Sequence, residues 1–97
     1  MANYIILANF TDQGIRNVKE TTERADAVRS MAEKVGATIK DIYWTLGSYD
    51  IVAILEAPDD ESATAIGLSI GNLGNIRTQT LRAFTADEIG NILGKMA

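Results

Sequence analysis

Apolar and polar residues alternate along this chain with two periods, one typical of β-strands and one typical of α-helices. In residues 3–10 both alternating sets of positions are apolar, with Ile6 on one side of a strand and Leu7 on the other. Residues 51–57 share this property, apart from the single charge of Glu56. A strand that is apolar on both faces favours the centre of a sheet. We therefore expect these two segments to be the central strands.

Two further segments have the mixed composition of edge strands. In residues 39–46, Trp44 shares its face with Ile42 and Leu46 and is expected in the core, whereas Tyr43 lies on the more polar face. Residues 76–84 carry two arginines among threonine and glutamine residues. Polar and charged side chains protect the edges of a sheet from further pairing. Both segments are therefore predicted at the edges.

Helical spacing occupies the segments between the strands. A short helix is expected through Ile15 and Val18 after an N-cap at Thr11, with a second start or a kink at residues 21–22. Two longer helices are expected where apolar residues recur at i, i+3, i+7 and i+10, and the glycines that follow end each of them. Their apolar positions and closing glycines are Ala25, Val28, Ala32, Val35 and Gly36, then Ala63, Ile66, Ile70, Leu73 and Gly74.

The second long helix opens with Pro58 and three acidic residues, which suit the positive end of a helix dipole. After the last strand, residues 85–88 read as a capping box that starts a short C-terminal helix. The apolar stripe of this helix is formed by Ile89, Ile92, Leu93 and Met96.

The element order is therefore β-α-β-β-α-β with one helix appended, in a single domain covering residues 1–97. This order predicts an α+β ferredoxin-like sandwich with a four-stranded antiparallel sheet in the order 4-1-3-2. Two long helices cover only one sheet face, so the other face is left with apolar side chains such as Tyr4, Ile6 and Ile54 or their neighbours. A second copy of the chain is the simplest cover, and we expect a dimer-based homo-oligomer.

The loop between the second and third strands reads Thr-Leu-Gly-Ser-Tyr-Asp at residues 45–50. Gly47 accepts a positive φ without steric cost, and Asp50 can hydrogen-bond the backbone of its own turn. Together with residues 9–14 and 77–85, the Gly-Ser-Tyr-Asp segment resembles the GYD family of small bacterial proteins. The resemblance implies a ferredoxin-like fold related to dimeric α/β-barrel proteins, and it implies no reaction.

The composition of the chain argues against several classes of function. The net charge of −4 provides no basic surface for a nucleic acid, so no nucleic-acid partner is expected. The absence of Cys and His removes thiolate sites, the usual general base and the commonest metal ligand. No apolar run reaches the ~18 residues of a membrane span, so we expect a cytoplasmic protein without a membrane partner. We expect no cofactor and no metal, since the acids at residues 59–61 already suit a helix start.

Four side chains are candidates for ligand binding, each with a structural alternative. Tyr49 and Asp50 would line a pocket at the sheet end, or Asp50 would accept a turn hydrogen bond while Tyr49 covers an edge. Tyr43 would face a pocket or pack in an interface. Arg77 and Arg82 lie on opposite faces of the last strand, and whichever lies on the uncovered face would bind a carboxylate or form an ion pair; which of them does is left open, and Arg82 is the one named as a ligand-binding candidate.

Three functions remain open on this pattern. The first is an oligomeric module that binds a small molecule or a partner protein between sheet faces. The second is a cofactor-free enzyme of the oxygenase or isomerase kind, in which Asp50, Glu56 or a tyrosine acts as acid or base after a large pKa shift. The third is a structural oligomer without a pocket. The space beside the sheet distinguishes them, because a binding site needs a cavity with convergent polar groups.

Overall fold

The computed structural model describes all 97 residues, and they form four β-strands and four α-helices. A 3₁₀ turn at Val18–Glu20 joins the first two helices. The elements in chain order are β1 (Ala2–Phe10), α1 (Asp12–Arg16), α2 (Thr21–Glu33), β2 (Thr38–Trp44), β3 (Ile51–Ala57), α3 (Asp60–Asn72), β4 (Ile76–Ala83) and α4 (Ala86–Leu93).

The strands form one antiparallel sheet in the order β2-β3-β1-β4. This is the predicted order 4-1-3-2 read from the other edge, so the ferredoxin-like prediction and the central positions of β1 and β3 are confirmed. Burial follows the same alternation, because every second residue of β1 from Tyr4 to Ala8 is buried and the residues between them are half-buried. In β3 the buried positions are Ala53, Leu55 and Ala57. One sheet face therefore carries the core.

The helices α2 and α3 cover this buried face. Tyr4 of β1 lies opposite Leu55 of β3 and Arg82 of β4, so all three side chains belong to the helix-covered side. Ile66 and Ile70 of α3 and Ala32 of α2 complete the core above the sheet. Of the two alternatives at residues 21–22, the structure has a second helix start, because α2 begins at Thr21. The helix ends at Glu33, so the last position of the predicted apolar repeat lies beyond it.

Strand β2 differs from its prediction in length and regularity. Its pairing with β3 shifts between Ile39 and Asp41, which places an extra residue, Lys40, in the strand. Because of this bulge, Ile39 and Ile42 both face the helices although they lie three residues apart. The strand ends at Trp44, and the expected continuation to Leu46 is wrong, since Leu46 lies in the turn and is fully exposed.

The helix caps agree with the sequence at most ends. Thr11 accepts a hydrogen bond from the Gly14 amide at the start of α1, and the capping box of α4 is formed by Thr85 and Glu88. The cap of α3 is Asp59, one residue after Pro58. None of the helices is both long enough and apolar enough to cross a membrane.

A close backbone contact joins α1 to the loop before β4. A Cβ atom added at Gly14 would lie 1.9 Å from the carbonyl oxygen of Asn75. Three hydrogen bonds hold the same two segments together: the Thr11 amide donates to Asn75 O at 3.1 Å, the Thr11 hydroxyl to Gly74 O at 2.6 Å, and the Gln13 side chain to Leu73 O at 3.2 Å. Glycine at position 14 is therefore required by space.

Candidate functional site

The loop of residues 45–50 is closed by its own polar groups. The Thr45 amide donates to the carbonyl oxygen of Asp50 at 2.8 Å, and the Thr45 hydroxyl donates to the carbonyl oxygen of Tyr49 at 2.6 Å. Gly47 adopts a φ of 102°, a conformation that favours glycine. The loop thus holds the last two residues of the Gly-Ser-Tyr-Asp segment in a fixed place beside the sheet.

Asp50 ties this loop to the central strand β1. Its carboxylate oxygen Oδ2 accepts a hydrogen bond of 2.9 Å from the Phe10 amide, and its own amide donates to Ala8 O at 2.9 Å. The carboxylate extends the pairing of β1 and β3 beyond the last strand residues. At this position it accepts from backbone, but the donor belongs to β1 and not to its own turn, so the partner differs from the expected turn hydrogen bond.

The two tyrosines expected near a pocket both lie on the side of the sheet that the helices leave uncovered. Tyr49 is half-buried, and its hydroxyl donates to Gln79 Oε1 of β4 at 3.2 Å. Tyr43 lies opposite Val52 of β3, so its side chain points away from the helices. In addition, 57% of its surface is exposed. The structure therefore places both rings beside one apolar face rather than inside a closed pocket.

The two arginines of β4 lie on opposite faces, as their spacing predicts. Arg77 lies opposite Asn9 on the uncovered side, whereas Arg82 lies opposite Tyr4 on the helix side, so the arginine on the uncovered face is Arg77 and not the ligand-binding candidate Arg82. Arg82 contacts Glu88 at 3.6 Å, donates to the carbonyl oxygens of Asn3 and Ala83, and stacks 4.5 Å from the ring centre of Phe84. Arg82 therefore forms an ion pair with Glu88 within the chain, and this pair joins β4 to α4.

Sequence reasoning missed a polar contact at the same end of the sheet. Tyr4 is buried, and its hydroxyl donates to the carboxylate of Asp60 at the start of α3. Burial, and then the hydrogen bond to Asp60, raise the pKa of Tyr4 to about 12. The phenol therefore keeps its proton at neutral pH. The apolar alternation of β1 indicates that Tyr4 is buried, but the partner 56 residues away depends on the folded arrangement.

The groups expected to act as acid or base in an enzyme lie apart. Asp50 precedes β3, whereas Glu56 lies near its other end and 3.9 Å from the Lys40 amine. Six residues of strand separate them by roughly 20 Å. Tyr4 lies on the opposite face of the sheet, with its pKa shifted away from neutrality. Asp50, Glu56 and Tyr4 therefore do not meet at one place, whereas Tyr43 and Tyr49 lie on the same side of the sheet as Glu56.

The face of the sheet turned away from α2 and α3 is apolar at its centre. Ile5 and Leu7 of β1 lie opposite Ile54 and Val52 of β3, and all four side chains are half-buried. Leu81 of β4 adds a side chain that is 39% exposed. We call this set (Ile5, Leu7, Val52, Ile54 and Leu81) the open face. Ile54 lies here as expected, whereas Tyr4 and Ile6 face the helices.

The opposite side of the sheet contains an apolar cavity beneath α2 and α3. Trp44 lies at its rim, where the indole Nε1 donates to the Thr21 hydroxyl at 3.0 Å. The prediction of Trp44 as a core residue is wrong, because 43% of its surface is exposed. Trp44 is on the helix-facing side, but β2 is an edge strand and α2 only begins at Thr21, so the helix leaves the ring partly open.

Comparison with known proteins gives a consistent family and fold. The model of the GYD domain matches residues 4–93. The glutamine synthetase and cystathionine beta-lyase binding protein of Thermus thermophilus is 29% identical over 90 residues, which are 92% of this chain and 95% of that protein.

Two solved structures show the same fold. TTHA0845 from Thermus thermophilus superposes with a TM-score of 0.58 at 24% identity, covering 89% of this chain and 96% of that chain. MtbAldR superposes with a TM-score of 0.67 at 13% identity, covering 87% of this chain and 52% of that chain. This chain thus spans about half the length of MtbAldR, and at these identities the likeness concerns the fold alone.

Proposed function

The chain belongs to the GYD domain family, and from that premise we propose that it is a self-associating module that binds a partner protein. The observation that carries the proposal is the apolar open face, which none of the helices of the chain covers. The name of the Thermus relative, a protein that binds two enzymes, supports a protein partner. The enzyme alternative lacks a comparable arrangement of acid and base.

The size of the open face fits contact with a second copy. Strands of seven to nine residues are about 25 Å long, and four strands are about 19 Å wide, so this side of the sheet, with the open face at its centre, covers roughly 475 Å² in projection. Monomeric proteins rarely expose apolar patches larger than a few hundred Å². Side chains that project from the sheet make the accessible area larger than this projection. The accessible area therefore approaches the ~800 Å² per partner that stable interfaces bury.

The distribution of polarity also supports a pairing of two sheets. The centre of the open face is aliphatic, while polar side chains surround it, at the strand ends (Asn3, Asn9, Glu56 and Arg77) and on the two edge strands (Asp41 opposite Ile54 and Gln79 opposite Leu7). An apolar centre with a polar rim is typical of protein interfaces. A second copy presents the same pattern, so a two-fold arrangement matches apolar centre to apolar centre.

The C-terminal helix provides a second surface, suited to a partner protein. Every residue of α4 except Glu88 is exposed, and the helix has no extensive contact with another element. Ile89, Ile92 and Leu93 lie at i, i+3 and i+4 and are 39–58% exposed, whereas Met96, expected on the same stripe, lies beyond the end of the helix at Leu93. This spacing is that of helices that bind in the apolar groove of another protein. We therefore assign the partner protein to this stripe.

Sedimentation equilibrium tests self-association. The parent protein is expected to form dimers or higher oligomers at micromolar concentration. Ile54→Lys places one charge in each copy of the open face and removes apolar burial of about 1.5–3 kcal/mol per copy, so dissociation should increase at least a hundredfold. Leu68→Lys is the matched control, because Leu68 is 71% exposed on α3, away from the open face. A monomeric parent, or equal association of both variants, would contradict the proposal.

Capture of a purified partner tests the stripe of α4. Glutamine synthetase and cystathionine beta-lyase from the same source are the probes, chosen from the name of the relative. Ile92→Lys is expected to weaken capture, while Asn91→Lys, on the same helix but outside the stripe, should leave it unchanged. Equal capture by both variants would remove α4 from the binding surface.

A further inference from the structure

A cavity of about 290 Å³ lies between the helix layer and the sheet. Its floor is the buried side of the two central strands, where Ala8 and Ala53 project only methyl groups. Thirteen of its sixteen lining residues are hydrophobic. An interior of this kind holds water poorly and accepts apolar molecules.

The cavity results from the placement of the two long helices. α2 packs mainly on the edge strand β2, and α3 packs mainly on the opposite edge strand β4. Above the central strands, α2 contributes the short side chains of Ala25 and Val28. Atoms that line an empty space lose van der Waals partners on that side. A bound molecule would restore those contacts.

Polar groups lie at one end of this cavity. The polar lining residues are Thr21, Arg24 and Asn75, and the Trp44 indole donates to the Thr21 hydroxyl at the same rim. Arg24 is the one charged residue among the sixteen. The cavity thus combines an apolar interior with a single positive charge at its rim.

Backbone contacts outside the cavity lining hold the guanidinium of Arg24. It donates to Asn17 O at 2.9 Å and to Gly14 O at 3.4 Å, and its side chain is 22% exposed. These bonds use two of the five N–H groups of a guanidinium. The nearest carboxylate, Glu20 at 3.8 Å, is 67% exposed, and an exposed pair of this kind is weak. Arg24 therefore retains donors for another carboxylate.

We propose that this cavity binds a small monocarboxylate with a hydrocarbon body, and that Arg24 pairs with the carboxylate. A cavity of about 150 Å³ accepts benzene, so this one fits a body of roughly ten non-hydrogen atoms. This binding goes beyond the proposed protein interactions, because the cavity and the open face lie on opposite sides of the sheet.

Octanoate is a suitable probe, and Trp44 is a suitable reporter because it is the one tryptophan of the chain. Octanoate is expected to change Trp44 emission saturably and to raise the melting temperature. 1-Octanol, which has the same chain without the charge, should bind more weakly by a factor of about ten or more, since it lacks the charge-assisted hydrogen bond.

Two variants separate the charge from the cavity. Arg24→Gln should remove the advantage of octanoate over 1-octanol. Arg29→Gln is its matched control, because Arg29 also donates from α2 to a backbone carbonyl, Ile39 O at 2.8 Å, without lining the cavity. Ala25→Leu narrows the cavity with little change in helix propensity and should weaken the binding of both compounds.

Several outcomes would overturn the inference. Trp44 emission that does not saturate with octanoate would exclude the site, as would unchanged binding in Ala25→Leu. Equal affinity of the parent protein for octanoate and 1-octanol would exclude the carboxylate assignment, and this comparison stands even if Arg24→Gln does not fold. Ile54→Lys should bind octanoate like the parent, which keeps this result separate from the test of self-association.

Discussion

Removing the carboxylate of Asp50 should destabilise the protein by removing one of the two hydrogen bonds through which Asp50 joins the Gly-Ser-Tyr-Asp loop to β1. Asp50→Ala removes one specific contact, the 2.9 Å hydrogen bond from the Phe10 amide, and keeps the backbone bond from the Asp50 amide to Ala8 O. Asp50→Asn keeps an oxygen acceptor in the same position and removes only the charge.

The expected loss follows from the contact that disappears. A hydrogen bond to a charged group contributes about 1.5–3 kcal/mol, and the alanine variant leaves the half-buried Phe10 amide without its side-chain acceptor. We expect Asp50→Ala to lower the free energy of unfolding by about 2 kcal/mol, within that range. Asp50→Asn should cost about 1 kcal/mol or less, because a neutral hydrogen bond replaces the charged one.

Urea unfolding at a fixed protein concentration measures these differences through the midpoint, provided that the slope stays constant. Tyr49→Phe is the control from the same loop: it removes only the 3.2 Å hydrogen bond to Gln79 and should shift the midpoint little. Equal midpoints for Asp50→Ala and the parent would refute the account of Asp50 as a structural tie. The carboxylate would then have a role other than stability.

Two further substitutions test other parts of the fold. Gly14→Ala should lower the free energy of unfolding in urea by about 1–3 kcal/mol, because its Cβ would lie 1.9 Å from Asn75 O. This overlap outweighs the gain in helix propensity of about 1 kcal/mol. A variant as stable as the parent would contradict the close contact. Burial and Asp60 raise the pKa of Tyr4 to about 12, so the contribution of Tyr4 to stability is complete below pH 10 and is lost between pH 10 and 12. Tyr4→Phe should therefore flatten the fall in stability over that window. An unchanged pH dependence would contradict this expectation.

Much of the fold could be predicted because it depends on local alternation. Both faces of β1 and β3 are apolar, which predicts central strands, and the caps at Thr11 and Thr85 depend on neighbours only three residues away. The bulge at Lys40 could not be predicted from periodicity, since it shifts the register without a distinct residue type.

The features of the candidate sites depend on distant contacts. Periodicity places Trp44 on the correct face but says nothing of how far α2 extends over it, so its exposure was predicted wrongly. The pairing of Arg82 with Glu88 depends on the direction in which α4 leaves β4. The cavity at Arg24 depends on the separation of α2 from α3, which no single segment of sequence contains.

Two copies are proposed to meet through their open faces, and one distance between them tests this arrangement directly. The chain has no cysteine, so Leu68→Cys introduces a single site for a nitroxide label on the exposed side of α3. Pairing through the sheets stacks the layers as helix, sheet, sheet, helix, with about 10 Å between neighbouring layers. The two helix layers are then roughly 30 Å apart, and labels that point outwards from them are roughly 40 Å apart or more.

Pulsed electron–electron double resonance measures the distance between the labels in the associated protein. Pairing of the open faces predicts a distribution centred at roughly 40–50 Å, which Ile54→Lys should abolish. A centre below roughly 25 Å would mean that the helix layers meet instead, because only that arrangement brings the two labels together. That result, or the absence of any intermolecular distance in the parent protein, would contradict the claim.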